Sequence, residues 1–226
     1  MVKFEDVPKE QRLNYYTGEI VISDSFAEHE ARVVWRELER AHLVSGKQPH
    51  MFGRLLPRLR DAFAMPQVPN DLREIALELL DTTRKWHQYR RDLVHDLLVM
   101  GRGRTDDVHS AFRKHSPRPM REIVDCASGL RECSYRLRGL WIISPHWLGT
   151  AEEVWEEADD LRSWTRVAMG HLADVPGVIM GTKGPAPEPP PGWDGIVAAA
   201  AADRETRETQ TNGLQVVIDP FEVSDY

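Results

Sequence analysis

The sequence predicts an all-α protein, a four- to five-helix bundle with a Pro-rich, mostly disordered C-terminal tail. Two observations carry this. Apolar residues recur at spacings of three, four and seven between residues 18 and 172, and no strand-length alternation occurs before residue 175. After Gly181 that pattern stops, and the run KGPAPEPPPGWDG begins. The 226 residues are 41% hydrophobic and 29% charged, an ordinary globular balance. A chain of this size closes a core without a metal or disulfide staple.

The first predicted helix covers 18–43, where Ile20, Ala27, Ala31, Val34, Leu38 and Ala41 form one stripe. Ser45, Gly46 and Pro49 end it. A short segment, 50–63, places Phe52, Leu55, Leu56, Leu59 and Phe63 on one side. Pro57 kinks it or marks its start. Pro66 and Pro69 mark a loop, and Asn70 or Asp71 caps the longest helix, 71–100. Gly101 and Gly103 stop that helix, and GRGRTDD reads as a loop. A helix over 120–143 follows Pro119 and breaks at Ser144 and Pro145. The last helix, 150–172, opens with Thr150 and Glu153 at capping-box spacing.

The expected organisation is therefore a bundle domain over 1–182, and a Pro-rich linker with a flexible tail over 183–226. DRETRETQTNG is too polar to form a core. LQVVIDPFEV reads as a frayed end, with a short docking segment as the alternative, which makes the tail a candidate arm for a protein partner. No apolar run reaches ~18 residues, so no membrane span is expected. The start, MVKFEDVPKEQRLNYY, lacks a signal-peptide core. With two cysteines as well, the expected setting is cytoplasmic.

The net charge of -7 is uneven. Residues 81–140 hold 13 Lys or Arg against 8 Asp or Glu, or +5, which leaves -12 elsewhere. Such a middle suits an anionic partner such as RNA; the alternative is a solvated pair of helices. No metal-ligand spacing, phosphate-binding glycine loop or nucleophile elbow is present, so no metal and no cofactor is expected. Cys126 and Cys133, seven residues apart, read as core.

Histidine carries the remaining chemistry. An Arg precedes His42, His95, His109 and His171 with four to six residues between: Arg36, Arg90, Arg102 or Arg104, and Arg166. Only His95 lies late in a long helix with an acid and paired apolar residues between, in the run Arg90, Arg91, Asp92, Leu93, Val94, His95. In this the chain resembles the HEPN family, whose signature is Arg, four to six residues, then His. The resemblance covers about residues 18–172 in architecture and Arg90 to His95 in motif. It implies an all-helical, usually dimeric protein and a metal-independent endoribonuclease. The family usually has Asn, Asp or His after the Arg, and this chain has Arg91 there. Two registers stay open, because five helical residues separate Arg90 from His95 by about 140° and four separate Arg91 from His95 by about 40°.

The implied catalytic set is His95, Arg90, Arg91 and Asp92. His95 moves a proton to or from the ribose 2′-hydroxyl or the leaving 5′-oxygen. An arginine holds the phosphate, and Asp92 orients the imidazole. Trp86 and Tyr89 are candidates for base stacking, and Arg102 and Arg104 for backbone contacts. Trp141, Trp147, Trp155 and Trp164 crowd the last two helices and suggest a dimer interface. The function expected is a ribonuclease of toxin or defence type. The alternatives are a non-catalytic RNA-binding bundle and a helical protein-interaction module.

Overall fold

The computed structural model describes residues 6–100, 119–151 and 158–172, with Gly195 beyond them. Among the described residues a 3-10 turn at Lys9–Gln11 precedes five helices. They are α1 (Arg12–Arg40), α2 (Phe52–Phe63), α3 (Asn70–Met100), α4 (Met120–Leu148) and α5 (Ala158–Ala168). The described residues form an all-α bundle. The tail at 183–226 and its boundary lie outside the described residues, apart from Gly195.

Cross-links fix the directions. Glu19 pairs with Arg131, and Glu30 accepts from Trp141 Nε1 at 2.6 Å, so α1 and α4 run parallel. Arg60 pairs with Asp81, and an added Cβ on Gly53 would face His87, so α2 is antiparallel to α3. Tyr89 meets Glu122 and Arg136 meets Glu78, so α3 is antiparallel to α4. The main core joins α1, α2, the first half of α3, the second half of α4, and α5. A smaller cluster gathers Tyr16, Ile20, Leu93, Ile123, Cys126, Ala127 and Leu130. Trp86 packs against both.

Several boundaries differ from expectation, among them the end of the last helix, at Ala168 and not 172. The first helix begins at Arg12, because Leu13, Tyr15 and Tyr16 cover the smaller cluster and reward an early start. It ends at Arg40, where His42 turns left-handed (φ 56°) and Leu43 N–H closes onto Leu38 O at 2.8 Å. The fourth helix runs through Pro145 to Leu148 instead of breaking at Ser144. Ser144 Oγ donates to Leu140 O at 2.6 Å within that turn, and Gly149 (φ 69°) ends the helix. Thr150 N–H then bonds Pro145 O at 2.8 Å, so Thr150 serves the end of α4. The rest of its expected capping box, at 152–157, lies outside the described residues. Pro57 sits inside α2, and α3 matches its expected span to within a residue.

Arg136 is a buried tie across three helices. It donates through Nε to Ala168 O at 3.0 Å and pairs with Glu78 and Glu132. Cys126 and Cys133 are both buried and unoxidised. Burial pushes the Cys133 thiol up to about 11, against the smaller opposing effect of a hydrogen bond with Thr83. Little thiolate exists at pH 8, so native protein is expected to resist an aromatic disulfide reagent and to react fully in denaturant. Fast native labelling of Cys133 would contradict that burial.

Candidate functional site

The middle of α3 faces three ways, and the residues around the Arg–His motif divide among them. Trp86, Tyr89 and Leu93 turn toward α4. Trp86 fills the space over Gly129, where an added Cβ would lie 2.4 Å from the indole. Tyr89 donates its hydroxyl to Glu122 Oε2 at 3.1 Å and meets Trp86 edge-on. Both rings expected to stack bases are thus engaged in the contact between α3 and α4.

His87 and Arg90 turn toward α1. His87 Nδ1 lies 2.9 Å from Asp24 Oδ1, and Arg90 Nε lies 3.2 Å from Asp24 Oδ2. Asp24 is buried, so its charge is held by these two groups rather than by water. A carboxylate acceptor makes Nδ1 the protonated ring nitrogen, which leaves Nε2 for other chemistry. The His87 ring meets buried Phe52 edge-on at 4.8 Å, which fixes its plane.

Arg91 and the residues in step with it turn to solvent. Arg84, Lys85, Gln88 and Arg91 are exposed. Gln88 Nε2 donates to Asp92 Oδ1 at 2.9 Å, and Arg91 Nε lies 3.8 Å from the same oxygen. Arg84, Gln88, Arg91 and His95 follow one another at spacings of four, three and four, one stripe of the helix over about 16 Å. The His95 backbone is helical, and its side chain is outside the described set. Arg102, Arg104 and His109 lie outside the described residues, as does Trp155.

No family model, no curated protein and no solved structure matches this chain.

Sequence reasoning missed Asp24 and His87. A signal was present: Asp24 stands four residues after Ile20 and three before Ala27, inside an apolar stripe where a lone carboxylate needs a partner. A groove of about 520 Å³ opens between α1 and α4, lined by Ile22, Phe26, His29, Tyr135 and the pairs of Glu19 with Arg131 and Glu30 with Arg138. The described tryptophans expected at a dimer interface are committed inward: Trp164 is buried, while Trp141 and Trp147 are half-buried against the main core. Exposed apolar side chains stand instead on α1, at Val21, Ile22 and Phe26. Among the described residues, no group of three or more His, Cys, Asp or Glu is placed to hold a metal ion. No described helix is long and apolar enough to cross a membrane.

Proposed function

We propose that the chain is a metal-independent endoribonuclease in which His95 is the general acid or base and Arg91 the phosphate contact, one residue closer to His95 than the HEPN signature places its Arg. The observation that carries this reading is the division of the two arginines. Arg90 is held on buried Asp24, whereas Arg91 is exposed and shares a helical stripe with Arg84, Gln88 and His95. That stripe presents a basic, hydrogen-bonding edge to a single-stranded backbone. RNA supplies its own 2′-hydroxyl nucleophile, so attack on phosphorus expels the 5′-oxygen and leaves a 2′,3′-cyclic phosphate. Single-stranded RNA incubated with the protein in EDTA is expected to yield such ends. Cleavage that EDTA abolishes, or that persists in His95→Ala, removes this mechanism.

A homodimer is part of the same proposal, with the exposed Val21, Ile22 and Phe26 strip of α1 at its interface. The paired substitution Ile22→Glu and Phe26→Glu is expected to shift the light-scattering mass at tens of micromolar from dimer to monomer, with helicity retained. A wild type that is monomeric there would turn this strip into support for the alternative, a helical module that binds a different protein.

A further inference from the structure

A second site stands behind the exposed stripe, where α1, α2 and α3 meet. Asp24 on α1 spends both carboxylate oxygens on α3, one on His87 Nδ1 and one beside Arg90 Nε. This leaves the outer atoms of both partners uncommitted: Nε2 of His87, and the two terminal nitrogens of Arg90 with their four N–H groups. None of these makes a hydrogen bond to another described residue. The side chains are 17% and 27% exposed, so the pair is recessed and still open to solvent.

The start of α2 forms the third wall. An added Cβ on Gly53 would stand 3.5 Å from His87 Nε2, and Gly53 itself is exposed. A hydrogen in place of a side chain is what leaves Nε2 reachable. Met51 supplies no side-chain cap to α2, and the first turn of this 12-residue helix holds no acid. No acid of α2's own first turn therefore offsets the positive end of its dipole.

We propose that His87 and Arg90, both anchored by Asp24, form a phosphate-binding site at the start of α2. Arg90 offers paired donors to two oxygens of one phosphoryl group. His87 serves in either protonation state: the imidazolium donates from Nε2, and neutral Nε2 accepts the proton of a monohydrogen phosphate. Asp24 balances the Arg90 charge, so the cluster is neutral with His87 unprotonated and carries one positive charge with the imidazolium. A free phosphate or protonated nucleotide monoester meets His87 in either state, whereas the diester of an RNA backbone, which has no such proton, meets Arg90 and the imidazolium form of His87. The inference does not depend on RNA cleavage; a chain that cuts no RNA still binds phosphate here.

The test follows the His87 ring resonances by NMR as inorganic phosphate is added to full-length protein, with chloride at matched ionic strength as control. A saturable, phosphate-specific shift is expected in the wild type. Gly53→Leu should weaken it at least about tenfold, because the new side chain covers Nε2 while Asp24, His87 and Arg90 are unchanged. Leucine is the better helix former, so folding is expected to hold. Arg90→Gln should also weaken binding, with circular dichroism confirming the fold. Adenosine monophosphate and a dinucleoside monophosphate, titrated separately, tell the sources apart: a stronger response to the first means a monoester site, and to the second a backbone site. A wild-type response no larger than that to chloride means that Asp24, His87 and Arg90 only clasp α1 to α3. That result, or unchanged affinity in Gly53→Leu, overturns the proposal.

Discussion

Gly139→Val is expected to unseat α5 from the bundle with a large loss of stability. A Cβ at Gly139 would stand 2.8 Å from both Ala168 N and Trp164 O, which are backbone atoms of α5. Backbone cannot rotate aside as a side chain does, so the helix itself must move outward. Leu161, Trp164, Val167 and Ala168 are buried in the main core and would lose contact together. The Arg136 bond to Ala168 O would be lost with them. Removing a mid-helix glycine recovers up to ~1 kcal/mol of helix propensity. Overpacking costs ~1–3 kcal/mol, and valine adds two methyl groups beyond the clashing Cβ. The net loss is expected to be about 2 kcal/mol or more, a fall in Tm of roughly 4–8 °C for a domain of this size. Gly18→Ala is the control: it too lies within a helix, and an added Cβ there meets nothing within 4 Å. A Tm for Gly139→Val within 1 °C of wild type would mean that α5 adjusts freely.

How much of this was legible beforehand follows from which contacts are local. α3 matched its expected span because its stripe, its Asn70 start and the glycines after Met100 are all close in sequence. The start of α1 was missed because Tyr16 gains from packing beside Ile123 and Cys126, more than a hundred residues away. Pro145 reads as a break in the sequence because proline has no N–H for the preceding turn, yet Ile142, Ile143 and Ser144 are buried around it and tertiary packing outweighs the lost bond. Within the candidate site, the Arg–His spacing was visible, but the partner of Arg90 was not. Asp24 and His87 are 63 residues apart in sequence, and only the antiparallel meeting of α1 and α3 joins them. The assignment of arginines to different faces therefore needed the fold.

The same division predicts that Arg90→Ala and Arg91→Ala fail in opposite ways. Arg91 is exposed, and its contact with Asp92 is at the long limit of an ion pair, so its loss is expected to change stability by less than ~0.5 kcal/mol. If it holds the phosphate as charge develops there, the cleavage rate at saturating RNA should fall on the order of 10²–10³-fold. His95→Ala should cost on the order of 10²–10⁴-fold, as expected for a lost proton carrier, also without unfolding. Arg90→Ala removes the cation beside a buried carboxylate and leaves Asp24 with His87 alone. Breaking a fully buried pair costs ~3–5 kcal/mol; Arg90 is partly exposed, so about 2 kcal/mol is expected, seen as a lower Tm. Its cleavage rate per folded molecule should stay within a few-fold of wild type. Measuring melting and single-turnover cleavage on all three variants separates the registers. A large rate loss in Arg90→Ala with Arg91→Ala unaffected would reverse the assignment. It would mean that Arg90 leaves Asp24 to meet RNA, and that the clasp between α1 and α3 opens when substrate binds.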